Sequence, residues 1–160
     1  MIKFFLVLIS LGLCFSETKI FYPDRNISNE PLTKKNISTF LKKNRVISED
    51  NNNEFIFISK KDDRWGNNHL VYQQSFKGVP VFGRFVRIHL DSGETPMSVS
   101  LNIVENLDLD IIPQLKFHKI KKIVSELINN KNMFIDEPKL CILQKGQTPV
   151  LTYKLNAVGF

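Results

Sequence analysis

The chain has little cysteine, little glycine and no apolar run long enough to cross a bilayer. Of its 160 residues two are cysteine and seven are glycine. Cys14 lies in the N-terminal leader, so only Cys141 would remain after processing, and an internal disulfide is excluded. Cys141 lies in the apolar run LCIL, where a buried structural role is expected. Cysteine is also too scarce for a cysteine-rich zinc site.

The common catalytic patterns are missing as well. The sequence has no His-Glu-x-x-His, no G-x-S-x-G, no G-x-G-x-x-G and no P-loop. None of the histidines lies four residues from another; they are His69, His89 and His118. The paired acids Asp62–Asp63 and Asp108–Asp110 are predicted to be solvated loop residues. We therefore expect no catalytic, cofactor-binding or metal-binding residue in this chain, and no enzyme activity of its own.

Positive charge is in excess but is not concentrated. The chain has 22 Lys and Arg against 16 Asp and Glu, a formal net charge of +6. Nucleic-acid binding requires a basic stripe with exposed aromatic residues, and no such stripe is visible. The charge favours solubility or attraction to an acidic protein surface.

The N-terminus has the layout of a secretory signal peptide. Lys3 precedes the short apolar run Phe4 to Leu13, and small residues precede a cleavage point between Ser16 and Glu17. The run is too short to span a membrane. We expect residues 1–16 to be removed and the protein to be secreted, extracellular or periplasmic, without a membrane anchor. A lipid on Cys14 is the alternative.

Periodicity predicts a helix followed by an antiparallel sheet over residues 31–105, after an extended lead-in over 17–30. In PLTKKNISTFLKKN the apolar residues have helical spacing; they are Leu32, Ile37, Phe40 and Leu41. The run FIFI (55–58) predicts a strand, KKDDRWGNN (60–68) a polar loop, and the stretch from Leu70 a strand with alternating faces.

Two turns divide the remaining strands of this unit. Gly78 and Pro80 predict a tight hairpin, and the run from Asp91 to Glu94 predicts another. Between the turns, one strand is predicted to place Phe82, Arg84, Val86, Ile88 and Leu90 on its core face. After the second turn, Met97, Val99, Leu101 and Ile103 are predicted to face the core.

A second, incomplete unit is predicted over residues 113–160, after a linker at 106–112. Its helix has Phe117, Ile120, Val124, Leu127 and Ile128 at spacings of three and four. The runs LCIL (140–143) and VLTYKL (150–155) then predict a hairpin. The predicted fold class is α+β, with two small cystatin-like units, each a helix on an antiparallel sheet.

The segment HLVYQQSFKGVPVFGRFVRIHLDSGE (69–94) resembles the signature of the fungalysin/thermolysin propeptide domain, H-V-x-x-Q-Q-x-x-x-G-V-P-V-F-G followed by a strand and a turn. The matching residues are His69, Gln73, Gln74, Gly78, Val79, Pro80, Val81, Phe82, Gly83, His89 and Gly93. Residues 113–155 are similar to the first helix and hairpin of a PepSY domain. These motif residues are expected to be structural.

The resemblance implies the propeptide region of a secreted thermolysin-like zinc metalloprotease. Such a region would assist folding of the catalytic domain and inhibit it, in cis or in trans. The family's catalytic residues, zinc and calcium belong to that other domain, so none is expected here. The alternatives are a free-standing secreted protease inhibitor of the same fold and a non-enzymatic envelope interaction module. No nucleic-acid or membrane partner is expected.

Overall fold

The computed structural model describes residues 18–23, 32, 36–128 and 133–159, which form an α+β fold as expected. The helices are α1 (Ile37–Lys43) and α2 (Phe117–Ile128). The strands are β1 (Lys19–Phe21), β2 (Glu54–Asp62), β3 (Asn68–Phe76), β4 (Val79–Leu90), β5 (Pro96–Asn102), β6 (Met133–Ile135), β7 (Lys139–Lys145), β8 (Thr148–Lys154) and β9 (Ala157–Gly159). The proposed signal peptide lies outside the described residues.

Five strands form one antiparallel sheet in the order β1-β5-β4-β3-β2. The predicted turns join these strands. Lys77 and Gly78 connect β3 to β4, and Asp91 to Thr95 connect β4 to β5. The hairpin β7–β8 joins the sheet at β4 through a parallel bridge between Val81 and Ile142. Strands β6 and β9 pair in a separate two-stranded sheet, which the sequence did not predict.

Helix α1 covers one face of the five-stranded sheet. Its residues Ile37, Phe40 and Leu41 are buried, as their spacing predicts. Lys42 and Lys43 lie in its last turn, where positive charge interacts favourably with the helix dipole. A helix of seven residues is marginal alone, so packing against the sheet must supply most of its stability.

The core beneath α1 follows the alternation of the strands. Leu70 and Tyr72 on β3, Val86 and Ile88 on β4, and Val99 on β5 are buried against the helix. Phe57 contacts Tyr72 edge to face, with ring centroids 5.6 Å apart. Of the residues predicted to face the core on β5, Met97 is only half-buried, near the turn.

Two boundaries near the N-terminus differ from the prediction. The lead-in contains strand β1, in which Phe21 pairs with Val99 of β5. Strand β2 continues to Asp62, beyond the predicted FIFI strand, so the polar loop shortens to residues 63–67. Residues 60–62 are polar and were therefore predicted as a loop. This end of β2 is exposed on both faces, so a strand can form there without apolar side chains.

Residues beyond the sheet complete a second apolar cluster. Phe76, Val79 and Val81 pack with Leu107 and Ile142. Leu107 is only 1% exposed although it lies in the predicted linker. Residues 106–112 are therefore packed against the sheet at this point, while the proposed division into domains stays a prediction.

Helix α2 forms where it was predicted, but much of its apolar surface is uncovered. Ile120 is buried, whereas Leu127 is 79% exposed. Between α2 and the β7–β8 hairpin lies an open apolar groove of about 760 Å³, lined in part by Val124 and Leu151. The spacing of apolar residues predicted the helix correctly but not how completely its face would be covered. No helix in the described part of the chain could span a bilayer.

Candidate protein-docking surface

Gln74 fixes the chain segment that follows β5. Its side chain is fully buried in the sheet. The amide nitrogen donates to the carbonyl of Val104 at 2.6 Å, and its oxygen accepts from the Val104 N–H at 2.9 Å. The side chain thus satisfies both backbone groups of Val104, as a neighbouring strand would.

The asparagine-rich stretch before β2 contributes to the same segment. Asn53 donates from its side chain to the carbonyl of Val104 at 2.8 Å. Asn52 donates to the carbonyl of Leu107 at 3.0 Å. Residues 104–107 are therefore held by side-chain amides from two different parts of the chain.

Gln73 stabilises a large bulge in β4. Gln73 pairs with Phe85 but Ser75 pairs with Pro80, so four residues of β4 (81–84) lie opposite Gln74 alone. The Gln73 amide donates to the carbonyls of Val81 and Arg84, the latter at 2.8 Å. A bulge of this kind breaks the alternation of faces.

Because of the bulge, the side chains of β4 face differently from the prediction. Val81 is fully buried, while Phe82, predicted to face the core, is 49% exposed. Gly83 has a φ of +71°, a conformation that other L-residues adopt at a cost. Arg84 is buried, and its guanidinium donates to the side-chain oxygen of Asn102.

The turn between β3 and β4 has the backbone of a two-residue hairpin. Lys77 and Gly78 have φ values of 48° and 78°, both left-handed. Turns of this type match the twist of the paired strands. The Gly78 N–H also donates to the carboxylate of Glu54 at 3.2 Å.

The sheet face opposite α1 is called here the open face. Strand register places the following residues on it: Ile56, Ser59 and Lys61 of β2, His69, Val71 and Gln73 of β3, Phe85, Arg87 and His89 of β4, Ser98, Ser100 and Asn102 of β5, and Ile20 of β1. Ile58, at the irregular point of β2, is also exposed. No carboxylate occupies any of these positions.

The structure brings together two motif histidines on the open face. His69 and His89 are directly paired across β3 and β4, with their Nδ1 atoms 2.7 Å apart. One Nδ1 must therefore carry a hydrogen and the other accept it. Asp63 lies beyond His69, with its Oδ2 at 3.3 Å from His69 Nε2.

The surroundings of His89 oppose positive charge on its ring. Burial lowers the pKa of His89, and His69 and Arg87 lower it further. Burial alone would raise the pKa of Asp63, but hydrogen bonds from Asn67, Trp65 and His69 outweigh it and lower the pKa. His89 is thus suited to its neutral form, hydrogen-bonded to His69.

The histidine pair could not be found from sequence spacing. If β3 and β4 paired regularly from the Phe76–Val79 pair at the turn, the register would place His69 opposite Val86. The bulge shifts the register by three residues and brings His89 opposite His69. His118, by contrast, lies exposed on α2, away from both.

The described residues contain no cluster of three or more His, Cys, Asp or Glu side chains that could hold a metal ion. Cys141 is buried, and burial raises the pKa of its thiol. Asp110 accepts a hydrogen bond from the backbone of Ile112 near the linker, a local structural contact. The other motif residues are distributed along the β3–β4–β5 meander, and the proposed cleavage residues Ser16 and Glu17 lie outside the described part.

Residues 53–103, which comprise strands β2 to β5, match the family described as Fungalysin/Thermolysin Propeptide Motif. The chain is 26% identical to a gelatinase of Enterococcus faecalis (strain ATCC 700802 / V583) over 139 residues, 76% of this chain and 27% of the relative. It is 28% identical over 109 residues to thermolysins of Alicyclobacillus acidocaldarius subsp. acidocaldarius and Bacillus caldolyticus, 62% of this chain and 20% of each relative.

These matches confirm the resemblance to the propeptide of thermolysin-like proteases, which the segment 69–94 indicated. The chain spans only about a quarter of the gelatinase and a fifth of the thermolysins. The likeness of residues 113–155 to a PepSY domain stays a prediction.

Proposed function

We propose that this chain is the propeptide region of a secreted thermolysin-like zinc metalloprotease and that it assists folding of the catalytic domain and inhibits it. The observation that carries the proposal is the propeptide motif over residues 53–103, which coincides with the folded meander β2 to β5. Zinc and calcium would belong to the catalytic domain, and the chain itself would cleave nothing.

The physical basis of the proposal is that the propeptide binds particular states of the catalytic domain. A secreted protease that is kinetically stable has a high barrier between its unfolded and folded states. A partner that binds the folding transition state lowers the barrier, and one that also binds the folded enzyme stabilises the complex by mass action. A rigid sheet held by Gln73, Gln74 and α1 supplies an ordered surface for such binding.

The finer architecture proposed is a pair of cystatin-like units. In the first, α1 lies on the five-stranded sheet. In the second, α2 accompanies the β7–β8 hairpin, and the open groove between them is consistent with an incomplete unit. The order of signal peptide, propeptide and catalytic domain is proposed with it, and secretion follows from the signal-like residues 1–16.

The test combines refolding and inhibition. The chain from Glu17 onward is mixed with the denatured catalytic domain of the Enterococcus faecalis gelatinase, and recovered peptide hydrolysis is followed. The same chain is then titrated against the folded enzyme. We expect a higher yield of active enzyme and saturable inhibition, with a basic secreted protein of similar size as the control.

The results separate the proposed function from its alternatives. Inhibition without any gain in refolding would favour a free-standing inhibitor. If the chain neither inhibits nor assists refolding of the gelatinase or a thermolysin, the propeptide role fails and the envelope interaction module remains.

A further inference from the structure

The open face carries exposed apolar side chains among its polar ones. Such faces normally carry polar residues alternating with the core. Here Ile20, Ile56 and Ile58 are 60%, 46% and 54% exposed. Phe85 lies among them, half-buried at the centre of the sheet. Ile56 and Phe85 lie in one cross-strand row on either side of Gln73, so a single partner surface could contact both.

The strand positions of this face carry positive charge, and the carboxylate of Asp63 at its end is hydrogen-bonded to His69. Lys61 and Arg87 are exposed on it, and among the described residues neither has a carboxylate at ion-pair distance. Arg87 lies with its guanidinium 5.4 Å from the ring centroid of Phe85, a cation–π contact that orients the charge along the sheet.

Some cations elsewhere on the surface have local partners. Lys60 pairs with Glu94 at 2.9 Å, on the turn beside β4. Lys122 pairs with Glu126 at 3.8 Å on α2. Among the described residues, Lys61 and Arg87 have no such partner, so their charge is available to another molecule, as is that of Lys139 and Lys145 on β7.

We propose that the open face is the surface by which the chain docks on its protease, and that it fits an acidic patch of the catalytic domain. The inference rests on the proposed function and adds the site and its partner's chemistry. Charge complementarity supports it, because a face whose strand positions carry cations and no carboxylate steers an acidic surface toward it and repels a basic one. Ile56, Ile58 and Phe85 would supply the apolar contacts of the same interface.

The test reverses the charge of this face and of a control surface. Lys61→Glu with Arg87→Glu is compared with Lys139→Glu and Lys145→Glu, two exposed lysines of β7. Each double variant changes the formal charge equally. Binding to the gelatinase catalytic domain is measured by calorimetry at two salt concentrations. Thermal unfolding verifies that each variant is folded.

We expect the open-face variant to bind at least about tenfold more weakly and to lose most of the salt dependence. The β7 variant should bind within about twofold of the unchanged chain. A second variant, Ile58→Ser, should weaken binding without altering the salt dependence. It guards against an effect of net charge alone.

The outcomes distinguish this inference from the proposed function. If the unchanged chain binds and inhibits, while both double variants bind as tightly as it does, the function stands and the open face is not the docking site. Equal weakening by the two double variants would also overturn the inference, because it would reflect net charge. A chain that binds no protease overturns both.

Discussion

Replacement of Gln74 by leucine tests whether the family-motif glutamine holds the segment after β5 to the sheet. The two side chains are similar in size, so the change removes the amide and leaves the buried volume nearly filled. It also deletes two hydrogen bonds to Val104, at 2.6 and 2.9 Å. A neutral hydrogen bond contributes about 1 kcal/mol net, and the Val104 N–H left without a partner increases the loss, whereas the Val104 carbonyl keeps its bond from Asn53.

We therefore expect Gln74→Leu to lower the free energy of unfolding by about 2 kcal/mol. Part of the loss is offset because leucine is more favourably buried than an amide. For a protein of this size the melting temperature should fall by roughly 4 to 8 °C. Urea unfolding followed by far-UV circular dichroism measures the change, with the slope of the transition checked for constancy.

The control is Gln114→Leu, the same chemical change at an exposed position in the segment before α2. It should alter the free energy of unfolding by no more than about 0.5 kcal/mol. If Gln74→Leu proves equally harmless, the hydrogen bonds to Val104 do not hold the segment after β5, and the structural reading of this motif residue is wrong.

Three further predictions concern the backbone, a buried hydroxyl and a histidine. Gly78→Ala should cost about 1 kcal/mol because φ is +78°, whereas Gly78→Asn should cost less; equal melting temperatures for the two would contradict this. Tyr72→Phe should leave stability unchanged or raise it by up to about 1 kcal/mol, because the buried hydroxyl has no hydrogen-bond partner among the described residues; a lower urea midpoint would reveal a partner. The lowered pKa of His89 means that the unfolded chain binds more protons, so stability should fall as pH drops from about 6.5 toward the folded-state pKa. Because the ring is partly exposed, the fall should stay below about 1 kcal/mol. His89→Gln should reduce this loss of stability at low pH. If the urea midpoint falls equally between pH 7.5 and 5.5 for the unchanged chain and for His89→Gln, the role of His89 is disproved.

Much of the architecture could be predicted from the sequence because its cause is local. Alternation of apolar residues indicated β3 and β5, and helical spacing indicated α1 and α2. The turn at Gly78 was also predictable, since left-handed backbone favours glycine.

The remaining features depend on register and tertiary contact. Nothing near Phe82 in the sequence shows that a bulge will turn it outward, because the bulge is stabilised by Gln73 on the neighbouring strand. The same shift of register creates the His69–His89 pair. Strand β1 was missed because its pairing with β5 joins segments far apart in the chain.

The apolar cluster around Val81 has a consequence for producing fragments of this protein. The family motif ends at residue 103, but Phe76, Val79 and Val81 are covered by Leu107 and Ile142. Expression of the motif alone would expose these side chains to water. Strand β4 would also lose its bridge to β7. Such a fragment should self-associate on concentration, so useful cloning boundaries follow side-chain packing beyond the limit of sequence similarity.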